Sequence, residues 1–387
     1  MSGGLVERLV AAVGDERDVA GIAITGTYRA AGDGKVSPPT FPGGPYIFEP
    51  RHVDGAVSEV VVLDQVPSEA NRIEEALLAA RDGGRIELPL FELTAKTSRG
   101  EIRLTSLEFP HRYADAYLRD SLVNGVRFDK SPVGQRLRGV SAIDVRPLYQ
   151  LDPGSLIFGA WDSHRTGRWP KFARLYSSSI VGLDPKEGIR RATRSDPLNL
   201  VGAIDDTAKA EGDWAFVVPG GDGKKKSGQK PSEIGHGNIV DKVDKLPPGG
   251  VTISEARRSA WISFAGLERL RFGDASREAT QLARAALAAL ALAGDRLAFG
   301  RPSIWLRSGC DLVRTDESIG FDRGGELEPV AVTAAEAIAA FRELRDRAAS
   351  AGIVMEKDAV SITPIPGLAN AIEYAVAKGA GSDGDAS

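Results

Sequence analysis

The residues best suited to holding a polyanion lie between Gly154 and Ser179. There GSLIFGAWDSHRTGRWPKFARLYSSS interleaves Trp161 and Trp169 with His164, Arg165, Arg168, Lys171 and Arg174. Aromatic faces stack bases and cations meet phosphates, so the mixture suits a nucleic-acid strand. It also describes a solvated loop anchored by two tryptophans. Asp162, Ser163 and His164 are adjacent in sequence, but triad partners converge from separate elements, so adjacency positions no nucleophile. His111 and Asp115 stand four apart on an expected helix, the spacing of a shared metal or of a hydrogen-bonded surface pair. The four histidines (52, 111, 164 and 236) supply no second such pair. Asn71 and Arg72 follow an apolar strand at the expected head of a helix, where backbone N–H groups and an arginine favour a phosphate. A capped helix with a surface arginine explains them equally. Lys224, Lys225 and Lys226 read as solvated, and His236, Gly237 and Asn238 as a glycine-flanked turn.

Composition narrows the setting. With 387 residues, 42% hydrophobic and 26% charged, the chain has ample material for a core and an ordinary globular balance. The longest apolar run, Ala285 to Ala293, is nine residues and reads as a buried core helix rather than a membrane span. An N-terminus with early acids and no basic region does not read as a signal peptide. The single cysteine, Cys310, excludes an internal disulfide and a multi-cysteine zinc site, and a reducing cytoplasm fits. Net charge is −4, yet residues 127 to 194 hold 13 Lys/Arg against six acids, a +7 zone on a remainder of −11. One positive zone on an acidic chain is the distribution of a protein with one polyanion-facing surface.

The elements that would position these groups follow from periodicity and turn chemistry. Leu5 to Val13 reads as a short amphipathic helix, and Val19 to Tyr28, Ser58 to Leu63 and Arg85 to Leu93 read as strands. Ser68 is expected to cap a helix ended by Gly83 and Gly84, and Pro110 to start another. Leu156 to Phe158 reads as a buried strand, Trp214 to Val218 as another, and a helix is expected from Ser254. Ala275 to Leu292 is the longest apolar helix, and Ser303 to Val313 contains strand. Thr333 and Glu336 form a capping box before a helix to Ala349, and Val360 to Pro364 is a final strand ahead of a disordered tail from Gly379. The alternation is irregular, with long insertions. It favours an α+β fold with a β-α-β-β-α-β core over a doubly wound sheet. The common nucleotide-loop, esterase and zinc-protease signatures are missing.

Four stretches then occur in order: LDQVPSEANRIE (63–74); FPHRYADAYLRDS (109–121); SLIFGAWDSH with KFARLYSS (155–178); and IGHGNI with GGVTISEARRSAWISFAGLERLRF (234–272). Together they resemble the RAMP-superfamily backbone subunit of the type I-U CRISPR effector, now called I-G. The resemblance implies an RRM-like (ferredoxin-like) palm in one elaborated domain over 1–387. It adds a helical finger-like insertion near 94–150 and a thumb-like hairpin near 205–250. It implies a non-catalytic subunit without metal or cofactor that polymerises head to tail along CRISPR RNA. Its partners are then the RNA, target DNA through the guide, further copies of itself, and the large and repeat-end subunits of Cascade. Carried over, Asn71, Arg72, His111 and Arg112 would contact phosphate. Trp161, Ser163, His164 and Arg165 would line the RNA groove with Arg168, Lys171 and Arg174 behind, and Lys225, His236 and Asn238 would add contacts. The alternative is a metal-dependent ribonuclease, as in type III complexes, using Asp115, Asp162, Asp205 or Asp206.

Overall fold

The computed structural model describes residues 4–41, 46–162, 170–189, 196–198 and 248–379. The strands in chain order are β1 (Gly21–Ala30), β2 (Lys35–Val36), β3 (Phe48–Val53), β4 (Ala56–Asp64), β5 (Leu90–Thr97), β6 (Gly100–Thr105), β7 (Ser121–Val123), β8 (Val126–Arg127), β9 (Tyr176–Leu183), β10 (Lys186–Ile189), β11 (Pro248–Thr252), β12 (Ala256–Ser263), β13 (Ser303–Trp305), β14 (Asp311–Asp322), β15 (Leu327–Pro329) and β16 (Ala359–Pro364). The helices are α1 (Leu5–Ala12), α2 (Val66–Asp82), α3 (Ala116–Arg119), α4 (Pro132–Arg138), α5 (Arg146–Leu151), α6 (Pro153–Phe158), α7 (Phe264–Glu268), α8 (Arg277–Phe299), α9 (Ala334–Ser350) and α10 (Pro366–Gly379).

The mixed helix and strand content is the expected α+β class. The main sheet runs β13–β14–β1–β12–β9–β4–β3, with β15 on β14, and its neighbouring strands are antiparallel. The path β1–α2–β9–β12–α8–β14 threads its centre in a β-α-β-β-α-β order with strands side by side as β14–β1–β12–β9. The hairpin β3–β4 widens that unit by pairing β4 on β9. Along β1 the period is two: Ile22, Ile24 and Tyr28 are buried while Thr25 and Arg29 face water.

The buried face is covered by α2 and α8. Ser276 caps α8 through its Oγ, which accepts the Ala279 N–H, and the alanine-leucine run behind it is buried throughout. A Cβ on Gly294 would lie 2.5 Å from Ile73 Cγ2, so that glycine lets α2 approach α8. The run is therefore a core helix as expected, and among the described residues no helix is long and apolar enough to cross a membrane. Thr333 and Glu336 form the expected capping box on α9.

Between sheet and helices lies a charged cluster. Arg258 on β12 is fully buried, with Nε 3.2 Å from Glu69 Oε2 and Nη2 2.6 Å from the Tyr176 hydroxyl. It also pairs with Asp295, which accepts the Tyr176 hydroxyl at 2.7 Å and the Arg296 guanidinium, and its guanidinium lies 3.6 Å from the Phe299 ring centre.

Four local expectations change. Leu156–Phe158 belongs to helix α6, begun by Pro153 and buried along its length, because a short apolar run does not distinguish strand from buried helix. The stretch after Ser254 is strand β12 followed by the short helix α7, which Ser263 caps. Arg258 on its inward side disguised the alternation. Helix α2 starts at Val66 behind Gln65, so Ser68 is inside it, and the strand expected at 85–93 begins only at Leu90. Residues 94–150 form the β5–β6 and β7–β8 hairpins and short helices, and β16 joins the hairpins into a second sheet, β6–β5–β16–β7–β8. Strands β10 and β11 pair antiparallel (Lys186 opposite Thr252) and flank the lysine-glycine tract. The expected strand at Trp214–Val218, most of the 205–250 segment and the tail after Gly379 lie outside the described residues.

Candidate nucleic-acid interface

The described part of the connection from α6 to β9 carries Trp161, Lys171 and Arg174, all exposed. Helix α6 stops at Gly159, whose φ of +81° a side chain would resist and whose Cβ would sit 3.0 Å from the Phe172 carbonyl. The chain then forms a two-residue bridge, with Ala160 N–H donating to Phe172 O at 3.1 Å and the return bond at 3.0 Å. This bridge sets Trp161 and Lys171 side by side. Trp161 is 54% exposed, and the Lys171 ammonium stands 5.0 Å from its ring centre. Arg174 follows, exposed, with Nε donating to the Phe158 carbonyl at 3.1 Å. Burial of its stem, and then the nearby Arg112, lower its pKa, though an arginine stays charged.

His111 is exposed, but its spacing to Asp115 serves the backbone. The Asp115 carboxylate accepts the His111 N–H at 2.8 Å and the Tyr117 N–H at 2.9 Å, capping α3. Among the described residues no three His, Cys, Asp or Glu side chains gather as a metal site would require.

Arg112 occupies a different environment from the phosphate contact the resemblance implied. Its φ is +52° and its side chain is buried. Nε and Nη2 grip the two oxygens of Glu74 at 2.6 and 2.8 Å, and Nη1 donates to the Gly159 carbonyl at 2.9 Å. The guanidinium thus ties α2 to the turn that presents Trp161. It positions the loop from inside.

Asn71 and Arg72 form a separate group. Because α2 begins at Val66, they sit past its first turn, away from the free N–H groups. Asn71 is exposed; Arg72 reaches Asp64 at 3.1 Å and the Trp305 carbonyl at 2.9 Å. Among the described residues no hydrogen bond or ion pair joins this pair to Trp161, Lys171 or Arg174. Ser163, His164, Arg165, Arg168, Lys225, His236 and Asn238 lie outside the described residues.

The +7 zone is also less concentrated than its sequence count. Asp144 and Asp274 hold Arg146 at 2.6 and 2.8 Å, and Arg127 and Arg138 share Asp129 at 3.5 Å each. Sequence reasoning passed over Arg301, Trp305 and Arg307, which surround the Arg72 group. Their cation-aromatic-cation spacing within RPSIWLR is the same kind of signal as that around Trp161.

Residues 24–187 match the family model described as CRISPR-associated protein GSU0053, a span of less than half of the chain. The matched span runs from β1 to β10 and includes α2, the Glu74–Arg112 pair and the Trp161–Arg174 connection. No curated protein matches the chain.

Proposed function

We propose that this protein is CRISPR-associated, a non-catalytic backbone subunit that binds CRISPR RNA and polymerises along it in a type I-U/I-G Cascade complex. The observation that carries the reading is the exposed Lys171–Trp161 pair, with the exposed Arg174 on the same connection, inside the family match. A stacking face with one cation against it and a second on the same connection suits a strand held by its bases' faces and its phosphates, independent of sequence. The β14–β1–β12–β9 order supports a ferredoxin-like palm, and the β10–β11 ladder supports a thumb hairpin at its far end. Target DNA would then be recognised by the guide, and copies of the chain and other Cascade subunits would be the protein partners. The ribonuclease alternative gains no specific observation: Asp115 caps a helix, Asp162 is buried, and Asp205 and Asp206 lie outside the described residues.

Co-expression of the full chain with a CRISPR array and the remaining subunits tests this. Purified particles should carry RNA of uniform length, and incubation with Mg²⁺ and matched target RNA should leave the target intact. Particles free of RNA, or target cleavage abolished by Asp205→Ala, would overturn the proposal.

A further inference from the structure

A second basic and aromatic groove lies apart from the Trp161 loop. Its floor is made by Ala76 and Ala79 of α2 and Ala298 of α8, small side chains that leave an open trough of about 370 Å³. Arg72, Arg85 and Arg301 border it, and Trp305 on β13 stands at its rim, 65% exposed. Ser68, Asn71 and Arg307 line the adjoining hollow. The acids nearby are committed: Asp64 holds Arg72 at 3.1 Å and Glu75 holds Arg307 at 3.0 Å. Arg85 and Arg301 are exposed and have no side-chain partner among the described residues. Arg72 adds a second observation, because its Nε is buried with no hydrogen-bond partner among the described residues.

We infer that this groove is a site for a single-stranded nucleic acid, with Arg85 and Arg301 on successive phosphates and a base stacked on Trp305. The chemistry distinguishes it from a small-anion site. An isolated anion needs cations but not an exposed indole, and the trough is large enough for a nucleotide-sized ligand. It distinguishes it from an apolar protein-docking site too, since unpaired arginines there would be desolvated without compensation. RNA and DNA share the phosphate and the base face; the experiment separates them.

The full chain is titrated by fluorescence anisotropy against labelled 30-nucleotide strands of uridine RNA and thymidine DNA, at several salt concentrations. The variants are Arg85→Ala/Arg301→Ala, Trp305→Ala and Trp305→Phe, with Lys171→Ala as the comparison; all are checked for unchanged melting temperature. The double arginine variant should bind more weakly and lower the salt slope by about 1.4, at roughly 0.7 per phosphate lost. Trp305→Ala should weaken binding roughly tenfold, and Trp305→Phe, which keeps a stacking face, should restore most of it. Loss with RNA, DNA or both supports the site and identifies the strand. Groove variants that bind both strands like the wild type, while Lys171→Ala is weakened, overturn this inference and leave the proposed function standing. Weakening by the groove variants with Lys171→Ala unaffected does the reverse. Altered self-association with unchanged strand affinity also overturns it, in favour of a protein contact.

Discussion

Glu74 holds Arg112 through both edges of the guanidinium, 2.6 and 2.8 Å, although 38 residues separate them and both are buried. This one pair joins helix α2 to the turn before Trp161. Burial pushes the Glu74 carboxyl up to about 7, and the Arg112 hydrogen bonds and charge pull against it. The two-point geometry is that of an ion pair, so we take Glu74 as ionised while Arg112 is in place. Glu74→Ala leaves a buried, unpaired guanidinium and should destabilise the chain by about 3–5 kcal/mol. Urea unfolding should show the midpoint falling at constant m. Arg112→Ala should reduce RNA binding only together with that loss of stability; an intact midpoint with lost binding would return Arg112 to the RNA surface.

Glu69 should make stability pH-dependent. Among the described residues Asp295 receives two guanidinium groups, from Arg258 and Arg296, whereas Glu69 shares only Arg258. Burial first, and then the neighbouring Asp64, push Glu69 up to about 8, against the pull of Arg258, while the two arginines keep Asp295 low despite burial. A carboxyl with a raised folded pKa binds its proton more tightly when folded. Its stabilising contribution is complete below pH ~4.5 and is lost as pH rises through about 8. Glu69→Gln removes that proton. Urea midpoints at pH 5 and pH 9 should therefore diverge more in the wild type than in the variant, by at least about 1.4 kcal/mol. Equal divergence in the two proteins would show that Glu69 is ionised throughout.

Trp161→Ala and Lys171→Ala should each weaken binding of RNA without sequence preference. Lys171→Ala should also reduce the dependence on salt by about 0.7 to 1 in slope. Lys171→Arg keeps a cation over the ring and should retain most of the affinity. Filter binding at three salt concentrations measures all three; an unchanged slope for Lys171→Ala would place the phosphate elsewhere.

Gly294→Ala should cost about 1–3 kcal/mol, because the added methyl meets Ile73 Cγ2 at 2.5 Å in a packed interior. Ile73→Ala in the same chain opens that space. Thermal melts of the two single variants and the double should then show coupling, the double being more stable than the sum of the singles predicts. Additive losses would mean that α2 has moved away from α8 to accept the methyl.

Much of the framework was legible along the chain because its signals are short-ranged. The Thr333–Glu336 box, the alternation of Val19 to Tyr28, and the nine-residue alanine-leucine run each report on neighbours within a few residues, and each formed the element it implied. What misled was also local: Leu156–Phe158 has no period to distinguish strand from helix, and Arg258 interrupts the alternation of β12. Its partners, Glu69 and Asp295, are 189 and 37 residues away, so only the fold could show that an arginine belongs inside.

The same division holds for the site. By residue type alone the sequence marked Trp161, Lys171 and Arg174 as a surface for a polyanion, since stacking faces and cationic charge are properties of side chains. Whether a given cation is unpaired is a property of the fold. Tertiary structure turned Arg112 inward onto Glu74, made Asp115 a cap, and gathered Arg85 and Arg301 around Trp305 from segments more than two hundred residues apart. A charge's role depends on its partner and its exposure, and both are decided across the chain.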